Sequence, residues 1–208
     1  MTAGPRQAMA EATRTRLVVT ARSLFATKGY FATGTAEIVE AAGVGTRGAL
    51  YHHFADKRAL FEAVFEAVEQ DLEARAAGAV TGTTAFEQLR QGLDAFLDES
   101  LDAEVRRILL VDGPAVLGWD RWRDIEARYG IGSITRTLRA GTLDGSIAVA
   151  DPDAMAHLLL AVVAEAALYI AHEERSAARA EAGRSLTTLL SGLAASSPAP
   201  RPARSRSR

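Results

Sequence analysis

The chain has 208 residues, of which 48% are hydrophobic and 24% are charged, a composition typical of a soluble globular protein with one large or two small domains. It contains no cysteine, which excludes disulfide bonds, thiolate catalysis and cysteine-ligated zinc. Residues 1–16 carry charges throughout and lack the long apolar core of a signal peptide, so we expect a cytoplasmic protein.

The net charge of −2 is unevenly distributed along the chain. Residues 1–58 contain eight Lys or Arg and four acidic residues, and residues 201–208 contain four Arg, so each of these segments carries +4 and the segment between them −10. A basic head on an acidic body directs the head toward nucleic acid and keeps the body away from it.

The first predicted elements are an arm and a helix. Gly4 and Pro5 disfavour helix, so residues 1–8 are expected to form a flexible arm. An apolar stripe that includes Leu17 and Phe25 predicts a first helix over about residues 9–28, and the glycine that follows would end it.

Residues 33–57 predict two short helices joined by a tight turn. The first helix has an apolar stripe that includes Ile38 and Val39, and Gly43 ends it. Thr46 is a suitable N-cap for the second helix, whose inward residues include Leu50. This is the helix-turn-helix arrangement, in which the second helix enters the major groove of DNA.

The outward face of the second helix is short, polar and cationic, so it lacks the aliphatic residues needed to bury it. Arg47 can form two hydrogen bonds to guanine or hold a phosphate, while Gly48 leaves room for close approach. Lys57, near the start of the next helix, suits phosphate oxygens. The DNA-binding residues predicted on these grounds are Thr46, Arg47, Gly48, Ala49, Tyr51, His52, His53 and Lys57.

The runs LFATKGY, TAEIVEAAGV and GALYHHFADKRALFEAV resemble the amino-terminal domain of TetR-family transcriptional repressors over roughly residues 13–68. The resemblance implies that Thr35 touches phosphate, that the recognition helix runs from Arg47 past Tyr51, and that His53 and Lys57 anchor the DNA backbone. This chain has six residues, GTRGAL, before Tyr51 where the family usually has five. The turn is therefore expected to be one residue longer.

Residues 43–48 also fit the dinucleotide-binding pattern G-x-G-x-x-G. That interpretation requires a preceding β-strand and an acidic residue ending a second strand about 20 positions later. The flanking sequence has helical periodicity on both sides, which argues against a nucleotide site.

The remaining sequence predicts helices. Asp56 suits a helix start, and the apolar spacing that follows predicts a long fourth helix to about Ala77, which would act as a lever between two domains. After a break at residues 78–82, further helical patterns lie at 86–97, 101–111 and 125–143. No stretch alternates between apolar and polar residues, so an all-α fold is predicted.

Helix-breaking residues at 112–114 and 117–119 surround the two tryptophans, Trp119 and Trp122. Large aromatic residues at such a break are either the lining of a ligand cavity or ordinary packing. We include both in a predicted effector pocket.

Residues 152–171 predict a helix that is apolar on nearly every side and is followed by a last helix ending near residue 195. A membrane span is disfavoured because His157 and Glu165 interrupt the run and its flanks are acidic. Such a helix must be buried all round, so we predict a homodimer through residues 152–195. His157, Glu165 and Tyr169 contact a ligand, or else bond to one another or to the partner subunit.

The predicted organisation is an arm (1–8), a three-helix helix-turn-helix domain (9–58), a helical effector-binding and dimerisation domain (59–195) and a disordered basic tail (196–208). The predicted function is a regulator, most simply a repressor that a small apolar or amphipathic effector releases from a palindromic operator. A constitutive DNA-binding regulator is the alternative, because sequence periodicity does not reveal a cavity. An enzyme is disfavoured, since neither G-x-S-x-G nor H-E-x-x-H occurs, and no catalytic residue, metal or cofactor is predicted.

Overall fold

The computed structural model describes residues 4–173 and 177–195. The predicted tail, and residues 1–3 of the predicted arm, lie outside this part of the chain. The regular secondary structure of the described residues is helical, and extended backbone pairs there only in an isolated bridge between Ile147 and Ala194. The predicted all-α fold is confirmed.

The helices follow one another with short connections. They are α1 (Pro5–Lys28), α2 (Thr35–Ala42), α3 (Arg47–His53), α4 (Lys57–Ala79), α5 (Ala85–Glu99), α6 (Ala103–Val105), a π-helical segment (Arg106–Asp112), α7 (Gly113–Leu117), α8 (Trp119–Glu126), α9 (Gly130–Asp144), α10 (Pro152–Glu173) and α11 (Ala178–Ser191).

Some helix boundaries differ from the predicted ones. Helix α1 begins at Pro5, so residues 5–8 are helical and not part of an arm, because proline fits the first turn, where its missing N–H loses no hydrogen bond. The helix predicted over residues 125–143 is divided between α8 and α9, since Tyr129 has a non-helical φ of −107° and ψ of −97°. The chain stays helical through residues 112–114 and breaks at Gly118, whose φ is 73°.

One hydrophobic core joins the head to the rest of the molecule. Phe25 of α1 and Phe61 of α4 are fully buried, with ring centroids 5.4 Å apart. The same core continues along α4 to Phe65 and then to Ile108 and Ile125 in the second domain. The head (α1–α3) therefore packs on a helix that belongs to both domains.

A second core lies between α5, α9, α10 and α11 and includes Leu97, Leu138 and Val163. Helix α10 is long and apolar enough to cross a membrane by length and composition alone. Here it packs against α5, α9 and α11 on one face. The opposite face leaves Leu158 61% exposed and Val162 37% exposed, and this is the face that the prediction assigns to a partner subunit.

Candidate nucleic-acid interface and ligand cavity

The turn between α2 and α3 depends on two glycines. Gly43 ends α2 in the left-handed region, with φ 61° and ψ 33°, and Gly45 has φ 87°. Residues with a Cβ atom rarely adopt such angles, which explains why glycine occupies both positions. Thr46 is the N-cap of α3 by position, and its side chain accepts no capping hydrogen bond from the helix.

Helix α3 has one buried face and one free face. Leu50 is fully buried, whereas Tyr51 is 50% exposed and Arg47 is exposed. Among the residues that the structure describes, the Arg47 guanidinium has no hydrogen-bond or ion-pair partner. Of the other predicted residues, Thr46, Gly48 and His52 are exposed, and Thr35, Ala49, His53 and Lys57 are half-buried.

Lys57 has a structural role that sequence reasoning missed. Its Nζ donates to the carbonyl oxygens of Tyr30, at 2.9 Å, and Thr33, at 3.0 Å, and lies 4.0 Å from the centre of the Tyr30 ring. Burial lowers the pKa of Lys57 below its ordinary value. An ammonium has three N–H donors, so one remains for the predicted phosphate contact. Lys57 thus fixes the loop between α1 and α2 to the start of α4.

Further polar contacts join the head to the π-helical segment and α7. The Tyr30 backbone N–H donates to Asp112 Oδ2 at 2.9 Å, and Arg107 Nε donates to the same oxygen at 3.3 Å. From the start of α4, Arg58 donates to the Leu117 carbonyl oxygen at 2.5 Å. The Tyr30–Asp112 hydrogen bond attaches the head to the second domain beyond the shared core, and Arg58 attaches the start of α4 to α7.

Arg22 of α1 also belongs to the domain junction. It donates to Glu104 of α6 and to Asp71 of α4, each at 2.5 Å. Burial lowers the pKa of Arg22, but the hydrogen bonds that it donates to Glu104 and Asp71 outweigh that effect and raise the pKa above its ordinary value. The guanidinium therefore has two carboxylate partners already.

A cavity of about 440 Å³ lies between α4, α5, α9 and α10. Its wall is mostly apolar and includes Leu72, Leu89, Phe96, Ile134 and Leu160. The polar side chains in the wall are Glu69, Glu73, Gln88, Tyr129, Ser133, Arg136 and Thr137. A mostly apolar wall with a few polar groups is typical of small-molecule sites, whose volumes are about 300–1,000 Å³.

Two buried carboxyl groups meet beside this cavity, and of the two only Glu69 lines it. Glu69 of α4 is 5% exposed and Glu126 of α8 is 6% exposed, and their side chains are hydrogen-bonded to each other. Gly130, in the cavity wall, lies beside Glu126: a Cβ atom there would be 3.6 Å from Glu126 Oε2. Glu126 thus stands directly behind the wall in which Glu69 is placed.

Burial raises the pKa of Glu69 well above its ordinary value, and the charge and hydrogen bond of Glu126 raise it further. Burial also raises the pKa of Glu126, while the hydrogen bond from Glu69 and the nearby Arg123 charge oppose that rise. Two adjacent carboxylates cannot both ionise without strong repulsion, so the pair holds one proton, mainly on Glu69.

The predicted effector residues lie elsewhere. Trp119 is 64% exposed, and its ring contacts Trp122 with centroids 5.5 Å apart. His157 and Glu165 are exposed on α10, and Tyr169 is 39% exposed there. None of these five residues lines the cavity. The effector pocket predicted from them therefore stays a prediction, and it is separate from the cavity described here. A sequence signal for the cavity existed, because Glu69 lies within the apolar stripe of α4.

We expect the Glu69→Gln substitution to flatten the pH dependence of stability. A carboxyl group whose folded pKa is raised stabilises the fold below its unfolded pKa, about 4.3, and this contribution is lost as pH rises through the folded pKa. The natural chain should therefore lose more stability than the variant between pH 5 and pH 8, as Glu69 ionises. Urea denaturation across that range measures the difference.

The control is Glu66→Gln on the same helix, where the carboxylate pairs with Arg128 at the surface. This variant should retain the pH dependence of the natural chain. If the Glu69→Gln curve ran parallel to the natural one, the buried pair would not hold a proton.

Comparison with known proteins places these features in a family. Residues 17–64 match the family model described as bacterial regulatory proteins of the tetR family, and residues 86–193 match the tetracyclin repressor-like C-terminal domain. The first match confirms the amino-terminal resemblance, and the second covers the domain that contains most of the cavity wall.

A TetR-family transcriptional regulator from Pectobacterium atrosepticum is 36% identical and superposes with a TM-score of 0.76 over 91% of this chain and 97% of that protein. The Transposon Tn10 TetC protein of Escherichia coli is 28% identical over 69% of this chain and 72% of its own length. RolR, 22% identical over 90% of each chain with a TM-score of 0.69, shares the fold. The chain belongs to the TetR family and is a DNA-binding transcriptional regulator, not an enzyme.

Proposed function

We propose that this regulator is a dimeric repressor, located in the cytoplasm, which an organic effector releases from a palindromic operator. The observation that carries the proposal is the position of the cavity on α4. Lys57 at the start of this helix holds the head, while Glu69 and Leu72 farther along it line the cavity. Effector binding and head position therefore act on one helix.

The head supplies the DNA contacts. Arg47 has no partner within the described part of the chain, and Thr46, Gly48, Tyr51 and His52 share its exposed surface. In a helix-turn-helix protein, residues near the start of the recognition helix contact base edges in the major groove. We assign base recognition to Arg47, and phosphate contacts to Thr35, His53 and the remaining N–H of Lys57.

The second copy is assigned to the exposed face of α10 and α11. Leu158 and Leu189 are 61% and 60% exposed, and Val162 and Tyr169 extend the same apolar strip along α10. Ala161, with its small side chain, allows close approach of a second helix. Pairing of two such helices from each subunit forms an isologous four-helix interface and gives the twofold symmetry of a palindrome.

The effector is assigned to the cavity between α4, α5, α9 and α10. RolR, which shares the fold, has been solved in complex with resorcinol. An effector that binds more tightly to one position of α4 than to another shifts the spacing of the two heads, and the shift cannot exceed that difference in affinity. A small apolar or amphipathic molecule suits the mostly apolar wall.

Selection of bound DNA from a random pool tests the operator. We expect a palindrome, and we expect Arg47→Ala to weaken its binding by about 1–3 kcal/mol and to relax base preference at one position of each half-site. Arg139→Ala, which removes equal charge from a residue paired with Asp153 in the second domain, is the control. Equal binding by both variants would show that Arg47 does not read the operator.

Leu158→Arg tests the dimer. A buried unpaired charge at a helix interface costs several kcal/mol, so the variant should be monomeric at micromolar concentration and should bind the palindrome at least about tenfold more weakly. Leu143→Arg, at a position that is 89% exposed on α9, should remain dimeric. Sedimentation and operator binding measure both variants, and a dimeric Leu158→Arg protein would place the interface elsewhere.

Gly92→Leu tests the cavity. Gly92 lines it, and a Cβ atom added there would meet no atom within 4 Å, so a leucine side chain should fill the space without strain. The neutral fluorescent probe N-phenyl-1-naphthylamine should bind the natural chain and lose at least about tenfold in affinity, about 1.4 kcal/mol, in the variant.

Gly78→Leu is the matched control, because Gly78 also has open space around it but does not line the cavity. Its affinity for the probe should match that of the natural chain. Equal probe binding by the two leucine variants would remove the cavity from the proposal and favour a regulator without an effector at this site.

A further inference from the structure

The buried acid pair distinguishes this cavity from a simple apolar one. Glu69 and Glu126 are each more than nine-tenths buried, and across the described residues neither carboxyl group forms an ion pair within 4 Å. An apolar side chain at position 69 would continue the stripe formed by Phe65 and Leu72 on α4. A buried carboxyl pair without a cation reduces stability, so its presence indicates a role in binding.

None of the charged groups that the structure describes around the pair takes the position of a cation between the two carboxyl groups. Glu73 of α4 lines the cavity and forms an ion pair with Arg136 of α9 at 3.0 Å. Arg123 of α8 lies 4.4 Å from the centres of both tryptophan rings and acts on Glu126 only through its charge. Tyr129, the other titratable side chain in the wall, accepts a hydrogen bond from Gln70.

Helices α5 and α10 add no charge to the cavity. Helix α5 contributes Gln88 and apolar side chains, and α10 contributes Leu160 and Val163. The wall therefore has an acidic group at Glu69, a charge-balanced pair at Glu73 and Arg136, and mostly apolar side chains elsewhere. This arrangement complements a molecule with a cationic head and a hydrocarbon body.

We propose that the effector is an amphipathic organic amine, whose ammonium group replaces the proton between Glu69 and Glu126 and whose hydrocarbon part packs on Leu89 and Leu160. The inference rests on the proposed effector role of this cavity. On binding, the ammonium N–H groups donate to both carboxylates, and the displaced proton leaves to solvent. Ammonium binding then becomes tighter as pH rises, because protons compete for the same carboxylates.

Three probes with the same eight-carbon chain separate the ligand classes: octylammonium, 1-octanol and octanoate. Calorimetric titration of the full chain at pH 7 should show octylammonium binding at least about tenfold more tightly than either other compound, as charge-assisted hydrogen bonds are roughly twice as strong as neutral ones. Titrations in phosphate and Tris buffers should show release of up to one proton for each octylammonium bound and none for 1-octanol.

Glu69→Gln and Glu126→Gln supply the matched variants, so that one remains informative if the other fails to fold. Either amide should reduce octylammonium affinity by about tenfold or more and abolish proton release, while 1-octanol affinity changes less than about twofold. Glu66→Gln, outside the cavity, should bind all three probes as the natural chain does.

Binding of 1-octanol or octanoate as tight as that of octylammonium would overturn the amine assignment and leave the cavity as an effector site. Unchanged octylammonium binding in both amide variants would also overturn it. If none of the three probes bound, the inference would fail, and the Gly92→Leu experiment would decide the role of the cavity independently.

Discussion

Burial of α4 by two domains is the interaction on which the rest of the structure depends. Phe61 packs under the head, Phe65 continues the same core, and Leu72 reaches the cavity, so one helix is part of both domains. A rigid helix transmits displacement because its hydrogen bonds resist bending. Glu69 lies twelve residues from Lys57, about 18 Å along the helix axis at about 1.5 Å per residue. A small tilt at the cavity therefore becomes a larger displacement at the recognition helix.

The polar contacts at the start of α4 determine what moves with it. Lys57 holds the carbonyl oxygens of Tyr30 and Thr33, and Arg58 holds the carbonyl oxygen of Leu117. Asp112 in turn accepts from the backbone N–H of Tyr30. Hydrogen bonds to charged groups contribute about 1.5–3 kcal/mol each, comparable with allosteric coupling energies of about 1–3 kcal/mol. The head is thus tied both to α4 and to the π-helical segment, and in the proposed mechanism an effector acts against that attachment.

The helix-turn-helix was predictable because its determinants are local. Apolar spacing, Gly43 at a left-handed position and a cationic exposed face are all properties of adjacent residues. The division between α8 and α9 at Tyr129 was missed because the apolar period continues through it. The cavity was missed because a void arises from how four helices pack, which no single helix records. The π-helical segment was also missed, because its sequence has the pattern of an ordinary helix.

The acid pair shows how a residue that disagrees with its local pattern identifies a site. A buried glutamate within the apolar stripe of α4 destabilises the fold. Residues that break a local pattern in this way are expected at functional sites. Glu69 and Glu126 reduce the penalty by sharing a proton, which leaves the pair with one negative charge in place of two. A cation that displaces this proton regains interaction energy only in the bound state. In the proposed mechanism the same group therefore lowers the stability of the free protein and discriminates between ligands by charge, which an apolar side chain at position 69 could not do.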